Sequence, residues 1–243
     1  MSDFRIYGES APDLVPDSEG SPKLLREPRR LAASAGAAWI GQAWGLFTRR
    51  WGLWVGMSFV MLLITTVVSM LPLVGFLSNF LTLFFAGGMM LAAAALAEND
   101  DLEFVYLFGG FQHKFKELLI LTLLYFLVLL LVVFVFVVVM YLTGTNISDW
   151  DSEQPSVAAM AMYGWIILAG FAALVPVSMM MWFATVLTVL DDVAPWQAMK
   201  MSFQGCVRNI LPFIVYGLVW LGLSLVIGLL AMGLVMLFDW VWL

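Results

Sequence analysis

Residues 104–116 read FVYLFGGFQHKFK, and this stretch decides how the chain is interpreted. Its phenylalanines fall at i, i+4, i+7 and i+11, at Phe104, Phe108, Phe111 and Phe115. On a helix this spacing makes one narrow apolar stripe with polar side chains around the rest. A long apolar run, 118–142, follows almost directly. We therefore predict a helix that lies in the membrane surface and turns into a spanning helix.

The composition is that of a membrane protein with several spans. Of the 243 residues, 63% are hydrophobic and 12% are charged, and the mean hydropathy is +0.98. A span needs about 20 apolar residues. Suitable stretches lie at about 54–74, 76–97, 118–142, 163–190 and 211–234. Backbone polar groups find no water in lipid, so we predict an all-α polytopic bundle of five transmembrane helices.

Two more surface helices are predicted, at about 34–50 and 193–209, beside the one at about 102–116. Superposing Phe47, Phe111 and Phe203 aligns aromatic or apolar residues seven positions earlier and polar residues one position later. This indicates an internal repeat of a surface helix followed by a span. The aromatic side chains predicted to lie at the membrane interface are Trp39, Phe47, Trp51, Phe104, Phe108, Phe111, Phe115, Trp196 and Phe203.

The repeat leaves the C-terminal end open to two interpretations. A second span in the third unit would begin near residue 232 and run past Leu243, so 233–243 would be part of an incomplete sixth span. Alternatively, Asp239, Trp240 and Trp242 anchor the end of the fifth span at the interface. We prefer the second interpretation for the chain as it stands.

The orientation follows from the cationic side chains. All eleven Lys and Arg lie in the N-terminal tail, in the surface helices or in the linkers that lead to them, and the loop 143–155 is acidic. By the positive-inside rule, the N-terminus and all three surface helices are expected on the cytoplasmic side. Residues 1–33 are predicted to be a disordered cytoplasmic tail, and 34–243 a single membrane domain.

Small residues and one proline predict how the helices pack. Gly41, Gly45, Gly52 and Gly56 could form a seam for helix contact, either within the chain or in self-association. Gly87 and Gly88 predict close packing of the second span. Pro176, inside the fourth span, predicts a kink because it removes a backbone hydrogen bond.

The sequence offers little catalytic chemistry. The spans have no charged residue near their middle, which argues against an ion-coupled carrier. The acidic residues and the histidine near the surface helices lack the spacing of metal ligands: Glu98, Asp100, Asp101, His113, Asp191 and Asp192. Asp100, Asp101 and Asp192 stand where helix N-caps belong, and His113 is expected to be a solvated surface residue. Cys206 lies on the apolar side of its helix, so an inert packed thiol is expected. We assign no catalytic, cofactor or metal residue.

Several motifs carry a resemblance to a known family. They are Trp39-Ile40-x-x-Ala43-Trp44-x-Leu46-Phe47, Leu71-Pro72-x-x-Gly75, Ala86-Gly87-x-Met89, Leu107-Phe108-x-Gly110-Phe111 and Ala198-x-x-x-Ser202-x-x-x-Cys206-x-x-Asn209. Over about residues 35–238 the chain resembles a family of uncharacterised bacterial inner-membrane proteins. That family is similar in layout to the membrane domain that precedes some glycerophosphodiester phosphodiesterases. The resemblance implies six spans and a bacterial inner-membrane location, and it carries no activity over.

Three functions are considered. The leading hypothesis is a non-enzymatic inner-membrane scaffold whose surface helices engage membrane lipids or a protein partner, including a second copy. The alternative is a lipid-handling carrier or scramblase-like protein, in which Pro176 and the glycines near Gly87 open a groove. An enzyme acting on lipid head groups is the third. No cofactor and no nucleic-acid partner is expected.

Overall fold

The computed structural model describes residues 28–72, 75, 77–98, 101–142 and 157–241. The helices are α1 (Ala35–Arg49), α2 (Trp51–Ser69), α3 (Leu77–Ala97), a 3₁₀ helix (Phe104–Phe108), α4 (Gly109–His113), α5 (Phe115–Leu142), α6 (Val157–Trp182), α7 (Ala184–Leu190), α8 (Pro195–Arg208) and α9 (Ile210–Val241). Most of the predicted tail, the acidic loop, Asp100 and the side chains of Asp239, Trp240 and Trp242 lie outside the described residues.

The prediction of an all-α bundle is confirmed. The described residues form helices and no strand, and five helical stretches among them are long and apolar enough to cross a membrane. They are Trp51–Ser69, Ser78–Ala97, Phe115–Leu142, Met160–Leu190 and Ile210–Met236. The fourth of them combines α6 and α7, which Phe183 separates. Each predicted span therefore corresponds to one of these stretches.

A repeated layout is visible at three joints between a surface helix and a span. Arg50 ends α1, Lys114 ends α4 and Asn209 ends α8. Their φ angles of −143°, −132° and −123° are similar, and so are their ψ angles. The joint residue follows Phe47 and Phe111 by three positions but Phe203 by six. The third copy therefore aligns at Cys206, and the superposition on Phe203 is shifted by one helical turn.

The segment 102–116 differs from the single helix that the phenylalanine spacing predicts. It forms the short 3₁₀ helix, then α4, and α5 begins at Phe115. Gly109 and Gly110 are buried where the segment meets α3. A methyl group at Gly110 would lie 2.2 Å from the carbonyl oxygen of Phe84, and one at Gly88 would lie 2.3 Å from that of Leu107. The two backbones approach so closely that only glycine fits at these positions.

The buried side chains concentrate at the end of the bundle where the surface helices lie. One cluster joins α3, α5, α7 and α8 through Phe84, Leu118, Leu121, Ala184, Val189, Ala198 and Met199. A second joins α2 and α3 with residues 102 and 107 through Met57, Phe85, Ala92, Leu96, Leu102 and Leu107. Towards the other end, the side chains of α5 and α9 are mostly exposed, as expected for helices that face lipid.

The predicted packing glycines divide into two groups. Gly87 and Gly88 pack as expected, since a methyl group at Gly87 would lie 2.9 Å from Leu118 Cδ1. At Gly41, Gly45 and Gly52, by contrast, no described atom lies within 4 Å of such a methyl group, so the predicted seam makes no contact within the described chain. At Gly56 the nearest described atom, on the Phe104 ring, is 3.8 Å away.

Gly36, which was not predicted, makes the closest approach of all the described glycines. A methyl group there would lie 2.0 Å from the carbonyl oxygen of Pro212 and 2.8 Å from the amide nitrogen of Tyr216. Gly36 therefore lets the backbone of α1 pack directly on the backbone of α9.

Two further predictions concern helix continuity. Pro176 lies inside α6, and the helix is interrupted seven residues later, at Phe183. α9 is one continuous helix through Gly228, the position at which the repeat would place a hairpin joint. Its 32 residues reach about 48 Å, more than the hydrocarbon thickness of about 30 Å.

We expect Gly88→Ala and Gly110→Ala each to destabilise the protein by about 1–3 kcal/mol, because a methyl group meets backbone at both sites. Thermal unfolding in detergent should show a Tm lowered by roughly 2–10 °C. The matched control is Gly41→Ala in α1, which has open space and gains up to about 1 kcal/mol of helix propensity. Equal effects at all three positions would contradict the close backbone contact.

Candidate functional site

Three surface segments lie together at one end of the bundle: α1, the 3₁₀ helix with α4, and α8. We call them the surface ring. The 3₁₀ helix and α4 pack on α3, α8 packs on α6, and α1 packs on α9. Two spans lie between α1 and the 3₁₀ helix, and two lie between α4 and α8. The chain therefore returns to the same side of the membrane each time, and the three segments share that side.

Two of the joint residues form ion pairs with the polypeptide that leads into the next segment. Arg50 Nη2 lies 2.6 Å from Asp101 Oδ1, just before the 3₁₀ helix. Lys114 Nζ pairs with Asp192 Oδ1, just before α8. The end of each of these two segments therefore contacts the start of the following one.

The third joint residue closes the ring. The side-chain amide of Asn209 donates from Nδ2 to the carbonyl oxygen of Arg29 at 2.9 Å, and its Oδ1 accepts from the amide of Leu31 at 2.8 Å. Arg208 Nη1 also donates to the carbonyl oxygen of Pro28 at 2.9 Å. Residues 28–31 lead into α1, so the end of the third segment holds the start of the first. This part of the predicted tail is bound in place.

The links of the ring differ in strength. The carboxylates of both ion pairs are largely exposed, and exposed pairs contribute about 0–1 kcal/mol. Asn209 is buried, and removing its amide would leave two part-buried backbone groups without their partner, which costs about 1 kcal/mol or more. The ion pairs therefore orient the segments, while Asn209 is the strongest single link.

Asp192 has a backbone conformation that is unusual for an aspartate. Its φ of +54° is left-handed, and the amide of Val193 donates to the carbonyl oxygen of Leu187, closing the end of α7. Glycine is the usual residue at such a helix end. An aspartate here keeps a carboxylate opposite Lys114. Burial, and secondly the charge of Asp192, raise the pKa of the neighbouring Asp191 carboxyl.

The prediction that Asp101 and Asp192 cap helices is wrong. Ala194 is the residue before α8, and Glu103 precedes the 3₁₀ helix without a side-chain cap bond. Asp101 and Asp192 instead form ion pairs. Within the described residues, no three His, Cys, Asp or Glu side chains come together as metal ligands would.

The phenylalanine stripe meets protein rather than lipid over much of its length. The Phe111 ring stacks on Phe84 with centroids 4.9 Å apart and meets Phe85 edge-on at 5.1 Å. Phe108 meets Phe85 at 5.9 Å, and Phe115 meets Phe84 at 5.2 Å. The stripe therefore packs on α3, and Phe104 and Phe115 remain partly exposed at its two ends.

The other predicted interface residues are in different surroundings. Trp39 packs on α9, with ring centroids 5.4 Å from Phe213 and 6.2 Å from Tyr216. Phe47 packs beside Trp44. Trp51, Trp196 and Phe203 are exposed at the rim of the ring. Lys200 Nζ lies 5.1 Å from the centroid of the Trp196 ring, which places a cation beside an exposed aromatic side chain.

A serine hydroxyl holds the interruption between α6 and α7. Ser202 Oγ accepts from the amide of Phe183 at 2.9 Å and donates to the carbonyl oxygen of Met179 at 2.7 Å. In an unbroken helix that amide and that carbonyl would bond to each other. The hydroxyl of α8 is thus inserted into the hydrogen-bond ladder of the fourth span. This contact fixes the surface ring to the membrane bundle.

Cys206 is buried beside this interruption, with Sγ 3.5 Å from the carbonyl oxygen of Met179. Burial raises the pKa of its thiol to about 11, although the nearby Ser202 hydroxyl opposes the shift. The thiol is therefore protonated at neutral pH, when its reactivity is low.

Several site residues were missed by sequence reasoning. Asn209 and Ser202 belong to a run of small or polar residues at 198, 202, 206 and 209, whose spacing marks one helix face. The Gly109-Gly110 pair inside the aromatic stretch is a signal for close backbone approach rather than for a regular helix. No sequence pattern identifies Phe84 and Phe85 as contacts of the ring, because nothing distinguishes them from the other apolar residues of a span.

Comparison with known proteins gives one informative match. A protein of Burkholderia thailandensis, named a probable inner membrane protein, is 31% identical over 205 residues, which make up 80% of this chain and 75% of that protein. No family model matches the chain, and no solved structure matches it.

We expect Asn209→Ala to release residues 29–31 from the ring, because the hydrogen bonds of the amide with Arg29 and Leu31 are lost. Trypsin should then cleave after Arg29 and Arg30 at least about fivefold faster, as the loss of about 1 kcal/mol or more implies. The matched control is Gln204→Ala, an exposed amide on the same helix. Unchanged cleavage in Asn209→Ala would show that the amide does not hold the segment.

We expect the Cys206 thiol to react slowly with maleimide at pH 8 in the folded protein. A pKa near 11 instead of 9.0 lowers the thiolate fraction by roughly a hundredfold. The rate should rise steadily with pH up to about 11 and become fast on unfolding. A chain with Cys206→Ala and Gln204→Cys serves as the exposed control. Equal rates for the two thiols would contradict the burial of Cys206.

Proposed function

We propose that this chain, which belongs to the family of the probable inner membrane protein of Burkholderia thailandensis, is a non-enzymatic scaffold that holds membrane lipids at its surface ring. The chain is a multi-pass inner-membrane protein. The observation that carries the proposal is the closed ring, in which each joint residue contacts the start of the next segment. Such a ring keeps its rim in a fixed shape at the membrane surface.

We place the ring at the cytoplasmic leaflet. The described cationic side chains lie in the ring, at its joints or in the segment that leads to α1, except Lys116, which lies in the first turn of α5, and positive charge favours the cytoplasmic side. The N-terminus is then cytoplasmic as well. The anionic lipids of that leaflet attract juxtamembrane Lys and Arg by about 1 kcal/mol per residue.

The rim of the ring has the chemistry that lipid head groups need. Trp51 and Phe115 are exposed where spans enter the membrane, and Trp196 is exposed on α8. Indole rings favour the level of the head groups. Lys116 and Lys200 lie exposed on the same rim, and Lys200 lies over Trp196. The Lys200–Trp196 pair and the exposed Lys116 support contact with anionic phospholipids.

The alternative of a carrier needs a groove near Gly87. The side chains of Leu118 and Val189 pack against Gly87, and this closure favours the scaffold. We therefore propose lipid retention rather than lipid transfer.

The test is the lipid composition of the purified protein. We expect anionic phospholipid to be enriched over the surrounding membrane, and the double variant Lys116→Gln with Lys200→Gln to lose the enrichment by about threefold or more, since each charge contributes about 1 kcal/mol. The control is the double variant Lys116→Arg with Lys200→Arg, which keeps both charges and should bind as the natural chain does. Lipid bound in membrane proportions by all three proteins would overturn the proposal.

A further inference from the structure

The fourth span has two weak points in its backbone hydrogen bonding. Pro176 has no amide proton, so the carbonyl of Ala172 receives no helix bond from it. Seven residues later, Phe183 separates α6 from α7, with φ −107° and ψ −8°. The stretch between these points is therefore joined to the rest of the span by fewer backbone bonds than an ordinary helix has. A change in the shape of this span is easiest at Phe183.

Ser202 holds the interruption from outside the span. Its Oγ accepts from the amide of Phe183 at 2.9 Å and donates to the carbonyl oxygen of Met179 at 2.7 Å. Backbone groups inside a span find no water as a partner. If α8 moves away, this amide and this carbonyl have each other as partners, and their direct bond is the one that an unbroken helix makes. The same two groups are thus satisfied in either of two arrangements.

α8 lies on the fourth span through a narrow face of mostly short side chains. It packs chiefly on α6, and its buried residues are Ala198, Met199, Ser202 and Cys206. On its other side, Trp196 and Phe203 are exposed. Apart from Met199, the buried side chains are too short to interlock with the span, so α8 can be withdrawn without rebuilding α6 around it.

A buried hydroxyl without a partner shows that the observed arrangement has a cost. Thr188, in α7, is 0% exposed, and its Oγ1 has no hydrogen-bond partner among the described atoms. In other spans, three threonine hydroxyls donate to the carbonyl four residues earlier: Thr65, Thr82 and Thr122. An unpaired buried hydroxyl raises the free energy of the arrangement that contains it. It therefore brings the observed arrangement closer in free energy to one in which α7 is repacked.

We propose that Ser202 is a latch between α8 and the fourth span. With α8 in place, the hydroxyl keeps α6 and α7 apart. With α8 withdrawn, the Phe183 amide bonds to the Met179 carbonyl, and the fourth span becomes one continuous helix. A movement of α8 on the membrane surface thereby changes the shape of a span. The inference does not depend on what α8 binds at that surface.

The test in the natural chain compares two openings and needs no substitution. Maleimide labelling of the buried Cys206 thiol reports the withdrawal of α8, and hydrogen exchange of the Phe183 amide, followed by mass spectrometry, reports the loss of its bond. We expect the opening at Cys206 to be at least about tenfold more frequent, because the amide passes from the hydroxyl to the carbonyl without becoming free. Equal opening at the two sites, or more frequent opening at Phe183, would overturn the proposal.

A variant separates a latch from a merely structural contact. We expect Ser202→Ala to raise the labelling rate of Cys206 at least about fivefold, because both bonds of the hydroxyl are lost, and to leave the Phe183 amide as protected as before. The matched control is Ser178→Ala, whose hydroxyl donates at 2.7 Å to the Val175 carbonyl of its own helix, and both rates should stay unchanged there. Faster exchange of the Phe183 amide in Ser202→Ala would overturn the proposal, and so would unchanged labelling of Cys206.

Discussion

The structure depends on the contact that each joint residue makes with the segment ahead of it. A chain that turns from the membrane surface into the membrane leaves the carbonyls of its surface helix unpaired and its side chains free to reach sideways. The side chains of Arg50 and Lys114 each form an ion pair with a carboxylate of the next segment. The side chain of Asn209 forms hydrogen bonds with two backbone groups that lead into α1. Three similar turns thereby become one closed ring.

The ring is held to the bundle by close backbone contacts as well as by large buried side chains. Gly36, Gly88 and Gly110 remove the Cβ atoms that would separate the backbones, and Ser202 takes the place of one turn of helix hydrogen bonding. In lipid, where apolar association between helices gives little advantage, close packing and satisfied polar groups are what hold helices together. This explains why the core lies at the ring end.

The distribution of packing also separates two kinds of surface. At the ring end, buried side chains pack the helices that carry the exposed tryptophans and lysines. At the other end, α5 and α9 are exposed over long stretches. A rigid, polar and aromatic rim on a loosely packed membrane portion suits a scaffold that presents one face. It also leaves lateral surfaces where other helices or lipids can lie.

The sequence by itself determined the spans, the all-α class and the layout of surface segment plus span, because each apolar run of about 20 residues meets the demand of the membrane alone. It also identified the stretch 104–116 and the cations at the helix ends. Only the tertiary structure decided that Phe111 faces α3 and that Asn209 binds residues 29 and 31. Lipid and protein are equally apolar neighbours, so a hydrophobic pattern shows which side chains avoid water but not which of the two covers them.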